Sequence, residues 1–162
     1  HLFSRMPNLR LLRLIENSIE IIELETLFGL RNLRELDMSF NRIKMIKEKF
    51  LSHTPLLEKI NFRINLVEMI DKFSFIIDDK TDLGLYSLKE LNINSNNLQV
   101  ISNFLFFGLP MLQKLDLANN LIEIIDEDGF FGLSNLEELD LSFNKLINLN
   151  NNTFNRMPYL EK

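Results

Sequence analysis

Few side chains in this sequence are of a kind that does covalent chemistry. Histidine occurs twice, as His1 and as His53 in LSHTPLL, and cysteine not at all. Thiolate catalysis and a zinc site built on cysteine are therefore excluded. Ser52 beside His53 is adjacency along the chain, whereas a nucleophile and its base must meet in space. Glu137 and Glu138 could act as paired carboxylates, but neighbours on an extended strand point to opposite faces. Asp78, Asp79 and Asp82 offer oxygen ligands for calcium. They lack the D-x-D-x-D-G spacing and the closing Glu of a calcium loop, so a solvated charged loop is the simpler expectation. These residues predict no enzyme, no metal site and no cofactor.

The pattern that does stand out is a repeat, and its elements must position whatever surface the chain offers. LRELDMSFNRI from Leu33 returns as LEELDLSFNKL from Leu136. Between and around them lie LRLLRLIENSI from Leu9, LEKINFRINLV from Leu57, LKELNINSNNL from Leu88 and LQKLDLANNLI from Leu112. The intervals between block starts are 24, 24, 31, 24 and 24 residues, and Leu160 opens a seventh block. Every block keeps apolar residues at its first, fourth, sixth, eleventh and fourteenth positions and asparagine at the ninth.

The pattern L-x-x-L-x-L-x-x-N-x-L resembles the leucine-rich repeat family across essentially the whole chain. The 24-residue period, with Phe near the nineteenth and twentieth positions, is similar to the class typical of extracellular animal proteins. The plant-type variant carries G-x-I-P after the eleventh position, where this chain reads EIIE, KMIK, EMID and EIID. The resemblance implies an α/β leucine-rich-repeat solenoid, curved, with one short parallel strand per repeat on the concave face. The chain reads as a single domain over 1–162, with repeats at about 9–32, 33–56, 57–87, 88–111, 112–135 and 136–159. Residues 1–8 and 160–162 are partial repeats, so the chain is expected to be a piece of a longer array.

Physical reasoning arrives at the same architecture. The L-x-L alternation puts two side chains on one face of a strand and those between on the other. One such strand cannot bury its apolar face, but stacked copies share a continuous core. Asn17, Asn41, Asn65, Asn96, Asn120 and Asn144 fall where each strand must turn away. An amide donates and accepts at once, so a column of them can satisfy the backbone groups that the turn would strand. Phe3, Phe28, Phe75, Phe107, Phe131 and Phe154, with Phe50 close in phase, are expected to stack as an aromatic column in the convex half. The long interval after Leu57 places an insertion within 71–87, expected to leave the core as a charged loop around Asp78–Gly84.

The exposed concave positions are the candidate binding residues. The third positions read Leu11, Glu35, Lys59, Glu90, Lys114 and Glu138. The fifth read Arg13, Asp37, Asn61, Asn92, Asp116 and Asp140, and the seventh include Ile15 and Arg63. A soluble sheet face is the bland account of any one of them; the sharper one is a protein-binding surface spread over Leu11, Arg13, Ile15, Asp37, Asn61, Arg63, Asn92, Asp116 and Asp140. Phe40 and Phe143, in the two S-F-N runs, are expected to shield strand edges more than to touch a ligand.

Charge refines this expectation. The net charge of −5 argues against a nucleic-acid surface, which needs clustered cations. Residues 1–80 carry 13 basic and 12 acidic groups, and residues 81–162 carry 5 and 11, so a basic partner is drawn to the second part. No apolar run reaches the ~20 residues that cross a bilayer, so membrane association would come only through segments outside this chain. The family resemblance implies non-catalytic recognition of a protein ligand or co-receptor by a cell-surface receptor, adhesion protein or secreted binder. The competing expectation is an intracellular scaffold or regulatory subunit, and a third is a spacer. If the protein is secreted, the sequon Asn151-Asn152-Thr153 offers Asn151 for a glycan.

Overall fold

A computed structural model describes residues 2–78 and 83–161. Its spine is a six-stranded parallel sheet. The strands are β1 (Leu11–Arg13), β2 (Glu35–Asp37), β4 (Lys59–Asn61), β8 (Glu90–Asn92), β10 (Lys114–Asp116) and β12 (Glu138–Asp140). They pair in that order, each with its like position in the next repeat: Leu12 lies against Leu36, Leu36 against Ile60, and Ile60 against Leu91. Two smaller parallel pairs run along one flank, β3 (Met45–Ile46) with β5 (Met69–Ile70) and β9 (Val100–Ile101) with β11 (Ile124–Ile125). Among the described residues the convex segments are successive turns rather than helices.

The alternation decides which side chains enter the core. Leu33, Leu36 and Met38 are buried, as are Leu57, Ile60 and Phe62, while Glu35 and Lys59 between them are exposed. At each bend after the strand the eighth residue of the block turns left-handed. Glu16, Phe40, Ile64, Ser95, Asn119 and Phe143 all have φ between 55° and 57°. That conformation crowds Cβ, most of all in a β-branched residue such as Ile64. In five of the six bends the asparagine that follows holds the turn by tying its own repeat to the preceding one.

Asn96 shows the anchoring. Its Nδ2 donates to Phe62 O and Ile93 O, each at 3.0 Å, and its Oδ1 accepts from Val67 N at 2.9 Å. Asn41, Asn65, Asn120 and Asn144 repeat the arrangement. Each amide bonds a carbonyl in its own strand and one in the strand before, and each accepts an N–H from the preceding repeat. Asn17, in the first block, is exposed, and among the described residues its side-chain amide donates only to Leu14 O and Ile15 O of its own repeat.

The aromatic column differs from the sequence expectation. Phe75, Phe106, Phe130 and Phe154 stack in order, with centroid separations of 6.3, 6.1 and 6.2 Å. Phe107 and Phe131 lie one position outside it, half-buried, and meet each other at 6.1 Å. Where two phenylalanines are adjacent, the first turns in and the second covers it. Phe28 likewise stays outside, edge-on to His53 at 4.9 Å, while buried Leu27 holds the inner place in its repeat. Phe50 is buried against Phe62.

The inserted residues leave the array through an antiparallel pair, β6 (Ile76–Asp78) with β7 (Leu83–Gly84). The expectation of a plain charged loop is therefore amended at its base, where backbone pairing carries the chain out and back. Asp79 and Asp82, two of the aspartates considered for calcium, lie outside the described residues. Gly84 returns so close to the next repeat that a Cβ there would sit 2.1 Å from Gly108 O. Only glycine fits that contact.

Candidate functional site

The concave sheet brings the predicted residues into two rows across the strands. At the fifth positions, Arg13, Asp37, Asn61, Asn92, Asp116 and Asp140 lie in line through their strand partners. Five of these six side chains have a local structural task that the sequence reading did not foresee. Oδ1 of Asp37 accepts from Ser39 N at 3.0 Å, and Oδ1 of Asn61 from Arg63 N at 2.9 Å. Asn92, Asp116 and Asp140 accept in the same way from Asn94 N, Ala118 N and Ser142 N. A short side chain that accepts from the backbone two residues on forms an Asx turn, which ends the strand and starts the bend. Asp and Asn in five of six blocks were the sequence signal for it.

Arg13 cannot make that bond, and its surroundings differ. It stands across from Asp37, but the Asp37 carboxylate is engaged by Ser39 N, by Ser39 Oγ at 2.6 Å and by Asn61 Nδ2 at 3.2 Å. Neither Arg13 nor Arg63 has an ion-pair partner among the described residues. Arg63 instead lies over the Phe40 ring, 6.0 Å from its centroid. Leu11 and Ile15 are 37% and 39% exposed, and Phe40 is 43% exposed on the adjoining bend. This first-strands corner therefore offers two cations and three apolar side chains together.

The later strands present a different surface. Lys59 and Glu90 pair at 2.9 Å and Lys114 and Glu138 at 3.3 Å across the third positions. The hydrogen bond to Glu90 and the charge of that carboxylate hold the Lys59 ammonium above its ordinary value. Desolvation opposes the shift, and Glu35 and then Glu58 add to it more weakly. Asp116 accepts from Asn94 Nδ2, while Asp140 is exposed at the last strand. The groove here combines Leu91, Leu115 and Leu139 with Asn92, Lys114 and four carboxylates, Glu90, Asp116, Glu138 and Asp140, so its charge is acidic.

Leu11, Arg13 and Ile15 thus stand on or just after the first strand, Arg63 lies two strands on over the Phe40 bend, and Asn92, Asp116 and Asp140 lie toward the other end. Asp37 and Asn61 lie between, joined to each other. Phe143, 80% exposed, occupies the same left-handed bend as Phe40 but has no cation over it among the described residues. Asn151 is exposed, and Thr153 of its sequon is buried with Oγ1 unpartnered among the described residues. Among the described residues no group of three or more His, Cys, Asp and Glu side chains could hold a metal ion. No described helix is long and apolar enough to cross a membrane.

A leucine-rich-repeat family model matches residues 1–43, 77–122 and 111–162, and the chain belongs to that family. No curated protein sequence matches it. Solved structures do. A complex of TLR13 with single-stranded RNA is similar over 98% of this chain, at 27% identity and a TM-score of 0.69. The mouse RP105/MD-1 complex is similar over 88%, at 25% identity and a TM-score of 0.67. The Drosophila Toll–Spatzle complex, in a glycosylated form, covers 88% at a TM-score of 0.76, but its 24% identity speaks to the fold alone. The chain spans 25%, 28% and 20% of those receptor chains respectively. One of these complexes holds RNA, so the likeness lends no support to the exclusion of nucleic acid drawn from net charge.

Proposed function

We propose that this chain is a recognition segment of a leucine-rich-repeat ectodomain, in a cell-surface receptor, adhesion protein or secreted binder, and that its concave face takes a protein ligand or co-receptor without catalysis. The observation that carries this reading is the first-strands corner. Arg13 and Arg63 have no ion-pair partner among the described residues, and Leu11, Ile15 and Phe40 are exposed on the same strands and bend. Clustered arginine and apolar groups are the usual anchors of protein interfaces. The likeness to receptor complexes supports an extracellular setting, and Asn151 is then an accessible glycan acceptor.

The test compares two paired variants for binding to the ligand recovered with the parent protein. Arg13→Ala with Arg63→Ala is expected to weaken binding by about tenfold, ~1.4 kcal/mol. Asp116→Asn with Asp140→Asn removes charge but keeps the Asx acceptors, and separates recognition from folding. Affinity within about twofold of the parent for both pairs, ~0.4 kcal/mol, would assign these repeats to a spacer. A single-stranded RNA oligonucleotide that competes with the ligand at Arg13 and Arg63 would transfer the face to nucleic acid.

A further inference from the structure

The flank between the concave sheet and the convex turns carries an apolar stripe for which the core has no use. In β3, β5, β9 and β11 the fourteenth residue of the block points inward: Ile46, Ile70 and Ile101 are buried and Ile125 is half-buried. The residue before it must then point out. In five successive blocks that outward residue is apolar: Ile21, Met45, Met69, Val100 and Ile124. Ile21, Met69, Val100 and Ile124 are 61%, 51%, 40% and 54% exposed. Four exposed apolar residues and the half-buried Met45 share one phase and form a line about 20 Å long at ~4.8 Å per strand. Isolated exposed leucines need no explanation, but a contiguous line rimmed by charge does.

The middle of the stripe opens into a crevice. β3 pairs with β5 and β9 with β11, but β5 and β9 belong to separate sheets. The gap is lined by Met69 and Ile70 on one side and by Leu98, Val100 and Leu105 on the other, with Glu68 and Gln99 at its mouth. The rim is acidic. The positions on either side of the stripe, the twelfth and fifteenth, read Glu20, Lys44, Glu68, Gln99 and Glu123, then Glu23, Lys47, Asp71, Ser102 and Asp126. That is six carboxylates against two lysines, and one of those lysines, Lys47, is spent on Glu23 at 3.6 Å.

We infer that this flank is a second docking surface, separate from the concave face, and that it takes a basic amphipathic helix of a partner protein. An isologous contact with a second copy would set acidic rim against acidic rim. An anionic lipid surface would meet the same repulsion. A helix fits the spacing, since its pitch of about 5.4 Å brings one apolar side chain per turn against a stripe that repeats every ~4.8 Å. Lysines or arginines on the helix shoulders then reach Glu20, Glu68 and Glu123, and one larger apolar side chain enters the crevice between Met69 and Val100.

The methionines allow a direct test. Met45 and Met69 lie on the stripe, whereas Met6 and Met111 are exposed elsewhere. The chain, labelled with 13C at its methionine methyls, is titrated with an amphipathic helical peptide of leucine and lysine and with a twin in which glutamate replaces lysine. The expected result is a saturable shift at Met45 and Met69 with the basic peptide only, while Met6 and Met111 stay in place. Val100→Glu with Ile124→Glu, both exposed and so compatible with folding, weakens that binding by about tenfold or more and leaves the melting transition intact. Arg13→Ala with Arg63→Ala leaves it unchanged, which separates this surface from the concave reading. Equal shifts with the acidic twin, or equal shifts at Met6 and Met111, overturn the inference. So do shifts at Met69 that depend only on protein concentration, which assign the stripe to self-association. Shifts with phosphatidylcholine vesicles assign it to a membrane and overturn it too.

Discussion

Asn92 and Asn96 stand four residues apart on the same bend and carry the same side chain, yet they do different work. Asn96 is 5% exposed, and its amide ties its own repeat to the preceding one. Asn92 is half-buried, and among the described residues its Oδ1 accepts only from Asn94 N, two residues on. The difference lies in what each removes from water. Asn96 stands inside the stack, where Val67 N would otherwise be buried alone and where Phe62 O and Ile93 O would each lose one of two amide donors. Asn92 faces the groove, so solvent or a ligand can replace it. Chemistry of the side chain is therefore a poor guide to role in this chain, and depth in the array is the better one.

The sharpest way to break that comparison is Asn96→Ala, which strands Val67 N in the core and leaves Phe62 O with Asn65 Nδ2 as its remaining donor. One orphaned buried N–H at ~1–3 kcal/mol predicts a loss of about 2 kcal/mol in chemical denaturation. Asn92→Ala on the same scale is expected to cost about 1 kcal/mol or less. Equal losses would mean that depth does not govern these positions. Asp116→Ala should likewise cost about 1 kcal/mol, while Asp116→Asn, which keeps the acceptor for Ala118 N, should be nearly neutral. A large loss for both would show that the charge, rather than the turn, matters there.

A smaller effect of opposite sign tests the bend between the two rows. Ile64 holds φ at 55°, where Asn119 already serves in another repeat. Ile64→Asn is expected to raise stability by up to about 1 kcal/mol, read as a higher midpoint of denaturation. The least effect is expected at the groove surface. A double-mutant cycle on Lys59 and Glu90 should return little or no coupling, because exposed pairs are screened by water. A clear coupling would mean that the groove is drier than its exposure indicates.

Most of the solenoid was legible because its rule is periodic. Leucines at the first, fourth and sixth positions and the asparagine at the ninth recur often enough to place β1, β2, β4, β8, β10 and β12 within their blocks. The convex side was less legible. Phe106 and Phe107 are chemically identical, and only the turn geometry between them decides that Phe106 faces the stack. The left-handed bend was invisible, since its occupants run from Glu16 to Phe143 and share no residue type. In the groove, the sequence placed Arg13 and Asp37 side by side but could not tell that Asp37 is engaged elsewhere. The flank stripe lay in plain view as EIIE, KMIK, EMID and EIID, and only the inward turn of its second apolar residue showed that the first is left outside.

The insertion after Ile76 has a consequence for how such arrays grow. The seven extra residues in that interval leave the register untouched, since Lys59 still pairs with Glu90 and Ile60 with Leu91. The next asparagine, Asn96, reaches back to Phe62 and Val67 as its counterparts do across shorter intervals. The array thus behaves like a text whose reading frame is reset at every asparagine, so that letters added on the convex side do not garble the line that follows. Replacing the residues between Asp78 and Leu83 by an unrelated longer segment, with Gly84 kept, should leave the downstream turns in step. Evolution can rewrite that margin without touching the script.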